Sequence, residues 1–178
     1  MRDTLGLRQL RQTDYRLSDI LARDKSGREV PVINVYGCLW RTLISFYERE
    51  EGEAVTITQL RAMYYECVRA GVMSETCFVN SHVGVGRIIR AILKSRKALY
   101  YVGMDQKVEM MGRPPGYYNM TDPQHRGKAN YRAEQIAIRG AASHFRDLGL
   151  GGDVLFDPYP QLANNGIMSI RLYYLGRT

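Results

Sequence analysis

The sequence predicts an α+β protein, and three observations carry that expectation. Apolar residues recur at helical spacing over residues 35–50, 58–71, 81–97 and 129–148. Short Tyr- and Val-rich runs at 99–102, 107–111, 117–120, 153–156 and 167–175 are set off by Gly, Pro and Asn-Gly turns and read as strands. The third observation is charge. Against 18 Asp and Glu stand 25 Lys and Arg, a net of +7, and residues 81–140 alone hold eleven basic and four acidic residues. The whole excess therefore sits in that window, as expected of a surface that meets a polyanion.

With 178 residues the chain is one domain with extensions or two small ones, long enough for a real core. The start, MRDTLGLRQLRQTDYR, is charged from Arg2 and has no apolar centre, so no secretory signal is expected. No apolar run approaches the ~18 residues of a membrane span. Three cysteines without framework spacing point to a reducing compartment, the cytoplasm, with nucleoid association if the source is bacterial.

Residues 1–33 read as an N-terminal arm, a helix from Leu7 to Ala22 followed by a polar turn, Arg23–Arg28. Asn34 can cap a helix over 35–50 whose apolar face is Val35, Leu39, Leu43, Ile44 and Tyr47, with Trp40 and Phe46 nearby. The acidic run Glu48–Glu53 opposes the helix dipole and ends it. Residues 54–57 read as a short β segment. Thr58 then caps a helix to Gly71, a natural C-terminal stop, and the connection 72–79 holds Cys77.

Asn80 or Ser81 caps the basic helix, expected over 81–97. Val85, Ile88, Ile89, Ile92 and Leu93 form its apolar stripe, and Arg87, Arg90, Lys94 and Lys97 its basic stripe on the opposite face. Gly84 and Gly86 weaken its first turn by roughly 1 kcal/mol each, or let backbone amides come close to a phosphate. A hairpin with the tip Gly112-Arg113-Pro114-Pro115-Gly116 follows, because proline cannot donate to a ladder. A polar hinge, 121–128, leads to a helix over 129–148 with Ala133, Ile136, Ala137, Gly140, His144 and Phe145 on one stripe. Strands 153–156 and 167–175 close the chain as a β-hairpin around Asn164-Asn165-Gly166.

Helix, short strand, helix, basic helix and hairpin resemble a winged-helix (helix-turn-helix) domain over residues 34–122. The local match is Gly112-Arg113-Pro114 followed by Tyr117-Tyr118-Asn119-Met120-Thr121, which is similar to the wing of many bacterial transcriptional regulators. The resemblance implies a sequence-specific double-stranded DNA-binding protein, a transcriptional or replication regulator. Its recognition helix would supply Ser81, His82, Arg87, Arg90, Lys94, Arg96 and Lys97, with Lys107 and Arg113 contributed by the wing region. The helix at 129–148 resembles the one through which such regulators dimerise, so residues 129–178 are a candidate dimerisation region and a homodimer is expected.

The residues that could form a catalytic or metal set are few. His82, His125 and His144 are scattered; Cys77 and His82, the nearest thiol–imidazole pair, have no further ligands for zinc and no third catalytic partner. Gly84-x-Gly86 lacks the third glycine of a dinucleotide fingerprint. Asp153 and Asp157 would suit a metal-dependent nuclease only with a nearby lysine, and none follows Lys128. The sequence thus predicts no enzyme, no cofactor, no metal and no small-molecule substrate. The alternatives to DNA are single-stranded RNA, with the Tyr doublets stacking on bases, and an acidic protein in a multi-protein assembly.

Overall fold

A computed structural model describes residues 7–105, 128–140 and 142–177. Its centre is one helix. A short helix, α1 (Val32–Tyr36), breaks at Gly37, and α2 (Cys38–Glu51) begins immediately after it. The break requires glycine, since a Cβ at Gly37 would stand 2.6 Å from the Ile33 carbonyl oxygen. Every residue of α2 from Trp40 to Arg49 is buried, so its polar members must be paired internally. Arg41 Nη1 donates to Glu48 Oε1 at 2.7 Å, and Glu48 Oε2 accepts the Val55 N–H at 2.9 Å. Gly52, in the left-handed region at φ 72°, ends the helix.

Helix α3 (Ile57–Arg69) starts from Thr56, whose side chain accepts from Gln59 while Gln59 reaches back to the Thr56 N–H. The cap is thus Thr56 rather than Thr58, and the expected strand at 54–57 does not form. Helix α4 (His82–Leu93) is capped by Ser81 and ends at Lys94. It is shorter than the expected 81–97, because a strand, β3 (Lys97–Asp105), already begins at Lys97.

Before α1, a small hairpin pairs β1 (Leu21–Arg23) with β2 (Glu29–Pro31) around the polar turn the sequence marks. The expected helix Leu7–Ala22 is corrected: its described residues hold only a 3-10 turn at Tyr15–Leu17, followed by β1. Leu17 and Ile20 are buried beside α1 and α2 by an irregular chain.

The expected helix at 129–148 is also corrected. It is two antiparallel strands, β4 (Tyr131–Ala137) and β5 (Ser143–Leu148), that turn near Gly140 at φ 58°. With β6 (Val154–Phe156) and β7 (Ile167–Arg177) they complete an antiparallel sheet of order β3-β7-β4-β5-β6. The expected hairpin of 153–156 with 167–175 is thereby corrected: β6 pairs with β5, and β7 with β3 and β4. Four of the six residues in β5 and five of the seven in β4 are buried, so neither strand shows the polar/apolar alternation that marks a half-exposed one. The fold class is therefore mixed α and β. Strand β3, from the expected 34–122 unit, pairs with β7 from the expected 129–178 unit, so one sheet spans both. The expected strands 107–111 and 117–120, the Gly-Arg-Pro tip, Lys107 and Arg113 lie outside the described residues.

Helix α2 lies across one face of this sheet. The Phe46 ring stands 5.1 Å from that of Tyr131 and 5.3 Å from that of Tyr173. Arg49 makes a two-pronged bond to Asp147 on β5 at 2.8 and 3.0 Å, and Ser45 donates to the same carboxylate at 2.8 Å. Near the start of α2, Thr42 Oγ1 reaches the Phe145 carbonyl at 3.3 Å. These contacts fix the register of the helix against β5.

Candidate active site

The start of α2 and the start of β5 bring three chemically active side chains together. Cys38 is the first residue of α2 and is half-buried. Thr42, one turn later, ties the helix to the backbone of Phe145 and so sets Cys38 beside His144. The Cys38 thiol lies close enough to the His144 imidazole to influence its charge. On the other side of the ring, His144 Nε2 stands 2.6 Å from Asp157 Oδ1. With Nε2 committed to the carboxylate, Nδ1 is the nitrogen left for the thiol.

Asp157 directly follows β6, which pairs with β5. Its Oδ1 also accepts the Tyr159 N–H at 2.9 Å, and Arg146 Nη1 lies 3.9 Å from its Oδ2. Arg146 in turn is bonded to Glu134 on β4. Burial raises a carboxyl's pKa, but the bond from His144, the Tyr159 amide and the nearby Arg146 charge outweigh it and hold Asp157 below its ordinary value. His144 shows the complementary effect. Burial alone would push it down, yet the bond to Asp157 and the nearby Cys38 thiol raise it from 6.5 to about 9. At neutral pH the ring is therefore protonated and braced by a carboxylate.

The other thiols are different. Cys67 is fully buried and burial pushes it up to about 12; Cys77 is 4% exposed and burial raises it as well. Among the described residues only Cys38 combines solvent access with an imidazole neighbour. It also sits at a helix N-terminus, where Gly37 provides no side-chain cap for the first turn. The backbone N–H groups there carry the positive end of the helix dipole.

The sequence-predicted residues are elsewhere. Cys77 and His82 do not pair: Cys77 lies near Cys38 and Cys67. His82 stacks on Tyr101 with centroids 4.5 Å apart, and its Nδ1 is 2.8 Å from Tyr173 Oη. Burial, aided by the Arg171 charge, drops His82 to about 3, so the ring is neutral and Tyr173 Oη donates to it. Gly84 and Gly86 face inward, where an added Cβ would stand 2.4 Å from Val72 Cγ1 and 2.7 Å from Leu99 Cβ. They serve close packing. Ser81 spends its hydroxyl on the Gly84 N–H. Arg87, Lys94 and Arg96 are exposed, while Arg90 is half-buried and donates from Nε to the Ser95 carbonyl. Lys97 lies on β3 with its Nζ 2.5 Å from Glu50 Oε1. Among the described residues no cluster of His, Cys, Asp and Glu could hold a metal ion. No described helix is long and apolar enough to cross a membrane.

No family model, curated protein or solved structure matches the chain.

Proposed function

We propose that this protein is a cysteine-dependent enzyme of acyl-group chemistry, one that cleaves or transfers an amide or ester carbonyl. The observation that carries this is the line Cys38–His144–Asp157, in which a helix N-terminal thiol meets an imidazole oriented by a carboxylate. Nucleophile, base and orienting group are the three parts that covalent acyl transfer needs. The bland alternative is a packed cysteine beside a buried His–Asp pair. It accounts less well for why the thiol with access to solvent is also the one facing the imidazole.

The steps follow from the positions. The reacting form holds a single proton between Cys38 and His144 Nδ1, and Cys38 Sγ attacks the substrate carbonyl carbon while His144 keeps that proton. The oxygen of the tetrahedral intermediate gains negative charge beside the first-turn N–H groups of α2, which favour an anion there. Collapse breaks the bond to the amine or alcohol, which leaves with the proton from His144. A thioester remains on Cys38. Water, or an acceptor amine, then gives up a proton to His144 as it attacks the thioester, releasing the acyl group and restoring the thiol. Asp157 holds the ring through Nε2 and stabilises its protonated form throughout.

Acylation by a small p-nitrophenyl ester, read by intact mass, tests the proposal. Wild-type protein should gain one acyl group on Cys38, and Cys38→Ala should gain none. Acylation that is unchanged in Cys38→Ala and in His144→Ala would rule the assignment out.

A sequence-specific regulator of double-stranded DNA has less support. The front of α4, from Ser81 to Gly86, would have to read bases, yet its side chains are capped or packed against Val72, Leu99, Tyr101 and Tyr173. The case for a homodimer rested on a helix at 129–148, where β4 and β5 stand instead.

A further inference from the structure

The outer face of α4 is a separate surface and does not depend on the enzymatic reading. Between Glu75 and Asp105 the chain holds five basic residues and no acidic one. Elsewhere several cations are matched: Arg16 with Asp14, Arg28 with Asp24, Arg61 with Asp19, and Arg69 with Glu66. Arg41 and Arg49 are paired inside the core. On α4 and the turn after it, Arg87, Arg90, Lys94 and Arg96 have no carboxylate within ion-pair distance among the described residues. Only Lys97 is matched there, by Glu50.

The sheet adds a cation that is remote in sequence. Lys97 opens β3 and stands opposite Arg177 near the end of β7. Arg177 is exposed, so it extends the patch past Arg96. Glu51, which accepts from the Ser95 hydroxyl at 2.5 Å, is the described carboxylate that intrudes. Five cations and one anion leave a strong positive field.

We propose that this face binds the phosphate backbone of double-stranded nucleic acid, DNA being the form tested, without reading its sequence. Arg87, Arg90 and Lys94 lie within about 60° of one another around α4 and span roughly 10 Å along it, a rigid row on a convex rod. Such a row suits phosphates lining a duplex groove. The inward packing of Ser81–Gly86 takes away the helix positions that would touch base edges, which leaves phosphate contacts alone. Single strands are favoured by exposed rings on which bases stack. Among the described residues the most exposed aromatics, Tyr15, Tyr65 and Phe78, ride on other elements.

Fluorescence anisotropy with random-sequence 20-bp DNA, titrated with salt from 50 to 300 mM, tests the proposal on the whole chain. About four to five neutralised phosphates predict a slope of log K against log salt of roughly −4. The triple variant Arg87→Glu, Lys94→Glu, Arg96→Glu should lose at least a hundred-fold in affinity at 50 mM salt. The control Lys25→Glu, Arg28→Glu, on the β1–β2 turn, should lose little. Absence of binding at 50 mM salt, equal loss in the control, tighter binding to single-stranded than to duplex DNA, or more than ten-fold preference among duplex sequences would each overturn it. Because Cys38 takes no part, Cys38→Ala should bind as wild type does.

Discussion

Replacing Asp157 with Asn tests the site at its hinge. The carboxylate receives His144 Nε2 at 2.6 Å and has the Arg146 guanidinium 3.9 Å away. Asparagine keeps the shape and an oxygen for the Tyr159 amide but removes the charge. Burial depresses the imidazole, and Asp157 is the largest effect opposing it. Without the carboxylate the ring should titrate at or below its ordinary 6.5 instead of about 9. A full return to 6.5 would remove roughly 3 kcal/mol of differential stabilisation of the protonated ring. The assay is an NMR titration of the His144 ring between pH 5 and 10 in both proteins, with circular dichroism as the check on folding. A wild-type ring that titrates near 6.5, or one that does not move in Asp157→Asn, would refute the electrostatic reasoning behind the site.

Three further outcomes follow from the same structure. The folded protein should lose stability as pH rises from about 6.5 to about 9. His144 binds its proton more tightly folded than unfolded, so its contribution is complete below the unfolded value and gone above the folded one. Chemical denaturation at pH 6 and pH 9.5 should differ by a few kcal/mol in wild type, and the difference should shrink in Asp157→Asn. Arg49→Met should destabilise the protein by about 3–5 kcal/mol in urea unfolding, because it strands the buried Asp147 carboxylate; a loss under 1 kcal/mol would contradict the pinning of α2 to β5. Gly86→Ala should cost about 1–3 kcal/mol, because its Cβ would press on the Leu99 side chain at 2.7 Å. A neutral effect there would mean that α4 and β3 do not pack so closely.

Much of the helical half is legible in the sequence. The stripes of Leu60, Met63 and Cys67, and of Val85 and Ile89, face the core as their spacing predicts. The strands near 99–102, 153–156 and 167–175 also lie where turns and β-branched or aromatic residues place them. The segment at 129–148 misleads for a physical reason. Strands buried on both faces carry no alternation, and the small residues Ala133 and Ala137 fit a helical stripe as well as a crowded sheet. Gly140, counted as part of that stripe, is the turn.

That one error conceals the site. Placed on a helix, His144 has no reason to face Cys38. On β5 it lies between α2 and the end of β6, and Cys38 and Asp157 become its neighbours. The local signals are present but slight: Gly37-Cys38 at the head of an amphipathic helix, and an Asp-Pro at the end of a short strand. Residues so far apart in sequence are joined by tertiary pairing alone, which periodicity does not report. The basic stripe of α4 was visible, but the inward turn of His82, Gly84 and Gly86 and the addition of Arg177 are products of packing and strand register.

The central claim is that Cys38 is a nucleophile served by His144, and alkylation by iodoacetamide at pH 7, resolved thiol by thiol by mass spectrometry, tests it most directly. In native protein Cys38 should be modified first, with Cys67 and Cys77 protected until unfolding, and its rate should fall at least ten-fold in His144→Ala. A Cys38 rate equal to that of a free thiol and indifferent to His144→Ala, in a variant that still folds, would contradict the account.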